Sequence, residues 1–208
     1  MLSTMDRSSS KALSVAPGSS PATPGKARER IMEAARRLFY TRGINATGID
    51  LVIAEAGVAK GSMYHHFGSK QALVVAYLQR EETIWKTASA ARDDLEAFPT
   101  ARLAIFFDGI STDVIAGTFH GCPFMNAAIE RPEDPEIHRV ITHYRGELAL
   151  HIAALIGADA SSSLVLKLMV LYDGAKTSAK MTLDPALVKL AADMACDTVH
   201  DHIQNVGK

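Results

Sequence analysis

The sequence predicts an all-α fold of about nine helices, on three grounds. Apolar residues recur at helical spacing along most of the chain. Ser, Thr, Asp, Pro and Gly fall where helices start and stop. No stretch keeps the strict alternation of a strand. No repeat of fixed period is present either.

Taken in order, Ile31, Ala34, Ala35, Leu38 and Phe39 share one helical face, and Gly43 ends that first helix, which is expected from Lys26 onward. Thr47 is placed to cap a second, short helix through Ile49, Val52, Ile53 and Ala56, closed by Gly57. A third helix is expected only over residues 59–64. Ser69 caps a long fourth helix over residues 70–95, and Pro99 closes that region. A fifth helix follows to about Gly117, then the loop GTFHGCPF and a short helix over residues 126–130. Pro135 opens a helix to Ile156, and the serines at 161–163 cap one that runs to Thr182. Asp184 before Pro185 marks the start of the last helix, which ends near Asn205.

With 48% hydrophobic and 22% charged residues, the chain can build a sizeable core, which excludes global disorder. Two cysteines, Cys122 and Cys196, are too few for a disulfide framework. No apolar run reaches the ~18 residues of a membrane span. Residues 1–25 are rich in Ser, Pro, Ala and Gly, which reads as a disordered leader without the apolar centre of a signal peptide. A cytoplasmic protein with reduced thiols and no cofactor or metal is the expectation. Charge is uneven. Residues 26–80 carry nine Lys/Arg against four Asp/Glu, whereas residues 81–208 carry eleven against eighteen. A basic segment joined to an acidic one points to a polyanion partner for the first half alone.

The stretch GVAKGSMYHHF, residues 57–67, sharpens that pointer. Two helices joined at Gly57, the second short and polar, make a helix-turn-helix, in which the second helix lies in the major groove of double-stranded DNA. Val58 packs inward to fix the turn. Gly61 and Ser62 are small enough to let the backbone approach a duplex. Lys60 reaches a phosphate or a guanine edge, Tyr64 offers its hydroxyl to a phosphate, and His65 and His66 are further donors. Lys70 and Thr47 stand at helix starts, where the positive helix end also attracts phosphate.

The run RERIMEAARRLFYTRGINATGIDLVIAEAGVAKGSMYHHFGSKQALVVAYL resembles the N-terminal DNA-binding domain of the tetracycline-repressor (TetR) family. The matching elements are Ala-Ala-x-x-Leu-Phe in the first helix, Gly43, Thr47, Ile53-Ala54, Ala56-Gly57-Val58, Lys60-Gly61, Tyr64, Phe67, Lys70 and Leu73. They cover about a quarter of the chain. GCPFMNAAIE is similar to a loop and short helix of some family members. Val52, where a polar residue is common, and Gly48, an unusual helix opener, depart from the pattern. The resemblance implies a DNA-binding domain over residues 26–72 and a ligand-binding and dimerisation domain over 73–208. It also implies a homodimer released from DNA by a small-molecule effector, and it points to Thr47, Lys60, Ser62, Tyr64, His65 and Lys70 as DNA contacts. Gly61 joins the expected DNA-contacting set by its small size, and two-fold pairing calls for a near-palindromic operator.

An effector pocket in the second half is expected to be largely apolar, drawn from Trp85, Phe106, Phe119, Phe124, Tyr144 and Tyr172. Cys122, Asn126 and His143 are the candidate polar members. Phe107, Met125 and Met169 belong to the same wide apolar faces. His120 beside Cys122 opens three sharper readings: a thiol that senses electrophiles or oxidants, an enzyme nucleophile, or half a metal site, against an inert buried cysteine. The enzyme reading leaves residues 57–70 without a role. For dimerisation the last two helices are favoured. Leu164, Leu168, Leu171 and Ala175 are expected on one face, and Leu187, Leu190, Ala191 and Met194 on the other, closed as a four-helix interface.

Overall fold

The computed structural model describes residues 24–93 and 98–206. Residues 1–23 of the expected leader, and Leu95, the expected end of the fourth helix, lie outside the described residues. The described residues form α1 (Pro24–Arg42), α2 (Ile49–Ala56), α3 (Lys60–Phe67), α4 (Lys70–Asp93), α5 (Pro99–Ile115), α6 (Pro123–Glu130), α7 (Pro135–Ile156), α8 (Ser163–Thr182) and α9 (Pro185–Val206), and no strand.

The helix signals work by supplying partners to backbone groups that a helix end leaves bare. Ser69 Oγ accepts from Ala72 N at 3.0 Å, Asp134 Oδ1 from Glu136 N and Ile137 N, Ser162 Oγ from Val165 N, and Asp184 Oδ1 from Ala186 N. Gly43 (φ +92°) and Gly57 (φ +59°) turn the chain where a side chain would be strained.

Three element boundaries differ from the sequence expectation. Thr47 does not cap α2: its hydroxyl is fully buried, donates to the Gly43 carbonyl at 2.7 Å and lies 3.3 Å from that of Leu38. Gly48 takes the N-cap position with no side-chain bond. The hydroxyl is drawn inward because the carbonyls at the end of α1 lack helical partners. Helix α3 runs three residues further than Tyr64, because buried Phe67 pulls the last turn into the core before Gly68 ends it. Helix α6 begins at Pro123 rather than Asn126, since proline at the first helical position gives up an N–H that has no partner there.

Helices α1, α2 and α3 pack together, and α4 leans on α1 at its start and on α7 further along. Helix α5 lies along α9, α9 along α8, and α7 packs on α4, α5 and α8. Ile31, Ala35, Leu38, Phe39, Met63, Leu73 and Tyr77 close the small bundle, while Leu103, Phe107, Leu148, Ile152, Leu168 and Val188 fill the larger one. The predicted pairing face of α8 needs correction. Leu164, Leu168 and Ala175 are buried within the chain's own core. The apolar side chains that α8 leaves exposed are Leu166, Val170 and Met181. On α9, Leu190 and Met194 are exposed, and Leu187 and Ala191 are half-buried.

Replacing Thr47 by Val keeps the shape but leaves the Gly43 carbonyl without its donor. Urea unfolding should show a loss of about 1–2 kcal/mol; an unchanged midpoint would remove the bracing role.

Candidate functional site

The α2–α3 pair presents the first site. Met63 and Phe67 anchor α3 from below, and Arg28 sits 5.1 Å over the Phe67 ring. Arg30 Nη2 donates to the Gly57 carbonyl at 2.6 Å, tying the turn to α1, and Val58 is half-buried against the core as expected. Anchored on that side, α3 shows solvent its other face. Lys60, Gly61, Tyr64 and His65 are exposed, Ser62 and His66 half-buried. Tyr64 is 45% exposed, a large ring with no core role. A Cβ placed on Gly61 would meet nothing within 4 Å, so the surface is open where the sequence keeps it small.

Of the expected DNA-contacting set, Thr47 is the member whose hydroxyl faces the core. Lys60 is held by Asp50, Nζ to Oδ1 at 3.0 Å, and this carboxylate raises its pKa. Lys70 stands at the start of α4; burial and the charge of Arg131 lower its pKa. Asp50 on the same surface was not anticipated.

The second site is a cavity of about 410 Å³ between α1, α4, α5, α7, α8 and the loop that leads into the start of α6. Six expected residues line it: Trp85, Phe106, Phe119, Phe124, Tyr144 and Tyr172. Phe124 stacks on Tyr144 (centroids 3.7 Å) and Phe106 on Tyr172 (4.5 Å), while Trp85 meets Tyr144 edge-on. The three expected polar members stand elsewhere. His143 is exposed and reaches Glu82 at 3.2 Å. Asn126 Nδ2 donates to the His120 carbonyl and so braces the loop. Cys122 is buried at the N-cap position of α6, and the ring of neighbouring His120 packs edge-on against Tyr40. Among the described residues no group of three or more His, Cys, Asp or Glu is arranged to hold a metal ion.

The polar wall consists of residues the sequence reading did not name for this role: Arg36, Tyr40, Glu81, Arg92, Asp113 and Lys176. Arg36 Nε donates to Glu81 Oε1 at 2.5 Å. Burial raises the pKa of Glu81 and of Asp113, against the pull of Arg36 on the first and of Arg92 and Lys176 on the second. Lys176 is buried, its Nζ 3.5 Å from Tyr144 Oη and 4.3 Å above the Tyr172 ring. A sequence signal existed. Leu168, Tyr172, Lys176 and Ala179 follow i, i+4, i+8, i+11, which puts a lysine in the middle of the apolar stripe of α8.

The two sites touch. Tyr40, on α1, accepts at Oη from His120 N at 3.1 Å. Glu130 at the end of α6 accepts from Asn45 N at 2.7 Å, and Asn45 Nδ2 donates to the Glu130 carbonyl. Gln71 donates to Asp134 at 3.2 Å.

Residues 31–77 match the family described as "Bacterial regulatory proteins, tetR family". An HTH-type transcriptional regulator encoded in the lacX 3′ region of Lactococcus lactis is 26% identical over 140 residues, 62% of this chain and 70% of that protein. The HTH-type transcriptional regulator LmrA of Bacillus subtilis is 46% identical over 52 residues, which is 24% of this chain and only 28% of that protein. A TetR-family transcriptional regulator of Streptomyces coelicolor superposes with a TM-score of 0.75 at 26% identity, over 88% of this chain and 97% of that one. No described helix is long and apolar enough to cross a membrane. With the match centred on α1–α4 and the likeness of fold extending through α9, residues 31–77 form a TetR-type N-terminal DNA-binding domain, and the chain as a whole resembles TetR-family transcriptional regulators.

Proposed function

We propose that this regulator is a repressor that binds a near-palindromic operator as a homodimer in the cytoplasm and leaves it when a small molecule enters the cavity. The observation that carries the reading is the exposed face of α3. A short helix is anchored by Met63 and Phe67 and offers Lys60, Gly61, Ser62, Tyr64 and His65 outward, with Lys70 at the next helix start. Such a face suits the major groove: small residues permit close approach and the donors around them meet phosphates and base edges.

The exposed stripe of Leu166, Val170 and Met181 on α8, with Leu190 and Met194 on α9, supports pairing of two copies through a four-helix interface. A groove lined by Leu166, Val170, Leu171 and Met194 runs between these helices. Two-fold pairing would set two α3 helices one turn of DNA, or a multiple of it, apart.

Effector response follows from the position of α4. Its first turn carries Lys70 and its body carries Trp85 in the cavity wall. A molecule that fits one orientation of α4 better than another shifts the population by that difference in affinity.

Three outcomes check this reading. On a duplex selected from a random pool, Tyr64→Ala and Lys70→Ala should weaken binding in fluorescence anisotropy without altering the circular dichroism. Lys70→Ala should also lower the slope of log affinity against log salt by about 1. Asp50→Asn should bind duplex more tightly than the parent, because it frees Lys60 and removes a charge that repels phosphate; weaker binding would count against this face.

Pairing is tested separately. Val170 is 68% exposed and Met194 49%, so Val170→Asp with Met194→Asp disturbs little within one chain. Sedimentation should show a folded monomer with weakened operator binding, and a surviving dimer would place the interface elsewhere.

A further inference from the structure

We infer that the cavity takes a small aromatic monoanion, a carboxylate on a flat apolar body, with its charged group seated on Lys176 and Trp85. This rests on the effector-binding reading of the cavity and adds the chemical class of the effector.

Charge inside the cavity is unbalanced. Its wall holds three cations, Arg36, Arg92 and Lys176, against two carboxylates, Glu81 and Asp113. Arg36 is committed to Glu81 at 2.5 Å, and Asp113 lies in the field of Arg92 as well as of Lys176. Lys176 is the cation left over. Only 9% of it is exposed, and among the described residues no carboxylate lies within 4 Å of its Nζ. Its nearest partners are the Tyr144 hydroxyl and the Tyr172 side chain, neither of which is a carboxylate. A buried ammonium is costly unless an anion meets it.

A second donor is bare in the same wall. Trp85 Nε1 is buried and finds no acceptor among the described residues. Indole N–H and ammonium groups donate and cannot accept, so an incoming group that satisfies both must be an acceptor. A carboxylate offers two such oxygens and the one negative charge the wall lacks. Around these donors stand Phe119, Phe124, Tyr144 and Tyr172, whose ring faces and edges suit a flat apolar body. About 410 Å³ is within the range that small-molecule sites occupy.

The chain has a single tryptophan, so the intrinsic emission of Trp85 reports on this cavity directly. The probes are 3-phenylpropionate and its neutral isostere 3-phenylpropanamide, neither of which absorbs where tryptophan is excited. Phenyl and naphthyl acids and amides of other lengths are followed by titration calorimetry. The full chain should bind the acids at least about tenfold more tightly than the matching amides, the difference expected of one charge-assisted bond. Lys176→Met should bring acid affinity down to that of the amide and leave the amide unchanged.

Equal binding of acid and amide by the unaltered chain overturns the proposal, as does undiminished acid binding by Lys176→Met. The comparison on the unaltered chain stands whether or not that variant folds. Amides that bind more tightly than acids would remove the anion and leave a ligand cavity. Silence from every acid and amide would remove the anion and the effector-binding reading together.

Discussion

The packing of α1 against α4 is the constraint on which the rest of this molecule depends. Phe39 meets Tyr77 edge-on at 5.5 Å between ring centroids, with Leu38, Leu73 and Leu78 buried around them. Outside this apolar seam, Arg80 reaches Glu29 at 2.7 Å, and nearer the cavity Arg36 reaches Glu81 at 2.5 Å. Burial of the seam supplies the attraction, because exposed ion pairs add little. Helix α1 is the brace on which α2 and α3 fold, and it also contributes Arg36 and Tyr40 to the cavity wall. One helix is thus shared by the α1–α3 bundle and the cavity. In the repressor reading, anything that changes how α4 lies on α1 changes where α3 points.

Contacts beyond that seam decide how such a change would spread. The small bundle is attached to the larger one by polar contacts of fixed direction: Tyr40 with the backbone of His120, Asn45 with Glu130, Gln71 with Asp134. Gly43 belongs to this junction, since a Cβ there would come within 3.0 Å of Glu130 Oε1. Hydrogen bonds of this kind are lost over a fraction of an ångström, whereas an apolar seam slides with little penalty. A junction that is apolar along α1–α4 and polar along α6–α7 therefore suits a hinge: the first persists through a tilt and the second breaks or re-forms. This is a physical basis for two discrete orientations, which a ligand-driven population shift requires.

The sequence disclosed the elements better than the residues of the cavity, and the reasons are physical. Caps and stops depend on a few neighbouring positions, so Ser69, Ser162, Asp184 and Gly57 could be read locally and are found in those roles. Thr47 misled because a hydroxyl placed to cap the next helix can instead turn back to the previous one, and only the packing of α1 decides. Aromatic cavity residues were legible as apolar positions on α4, α5, α7 and α8 and in the segment around the start of α6. Its polar wall was not, because it is assembled from four helices far apart in sequence and because Arg36, Glu81 and Asp113 look like ordinary surface charges when read singly. The pairing face of α8 was misplaced for a related reason. This helix is apolar on two sides, and spacing alone does not tell the side turned to α5 and α9 from the side left exposed.

That two-sidedness gives α8 its place in the mechanism. Its inner face carries Tyr172 and Lys176 into the cavity, and its outer face carries Leu166 and Val170 into the proposed pairing surface. A lysine in a core stripe is a poor choice for stability, since a leucine or methionine there would pack without desolvating a charge. Among the described residues Lys176 gains the Tyr144 hydroxyl, the Tyr172 side chain and the more distant field of Asp113 in return, with no carboxylate beside it. Its placement makes sense if the missing partner arrives from outside. The same stiff helix would then feel the arriving charge on one side and hold the second protomer on the other. In the proposed dimer, rotation of α8 would be resisted, so the movement that accommodates a ligand would have to be taken up by the opposite wall, where α4 and α1 stand. On that reading the buried cation would fix the ligand to the stationary side of the cavity, and the side free to yield would be the one that leads to the proposed DNA-binding face.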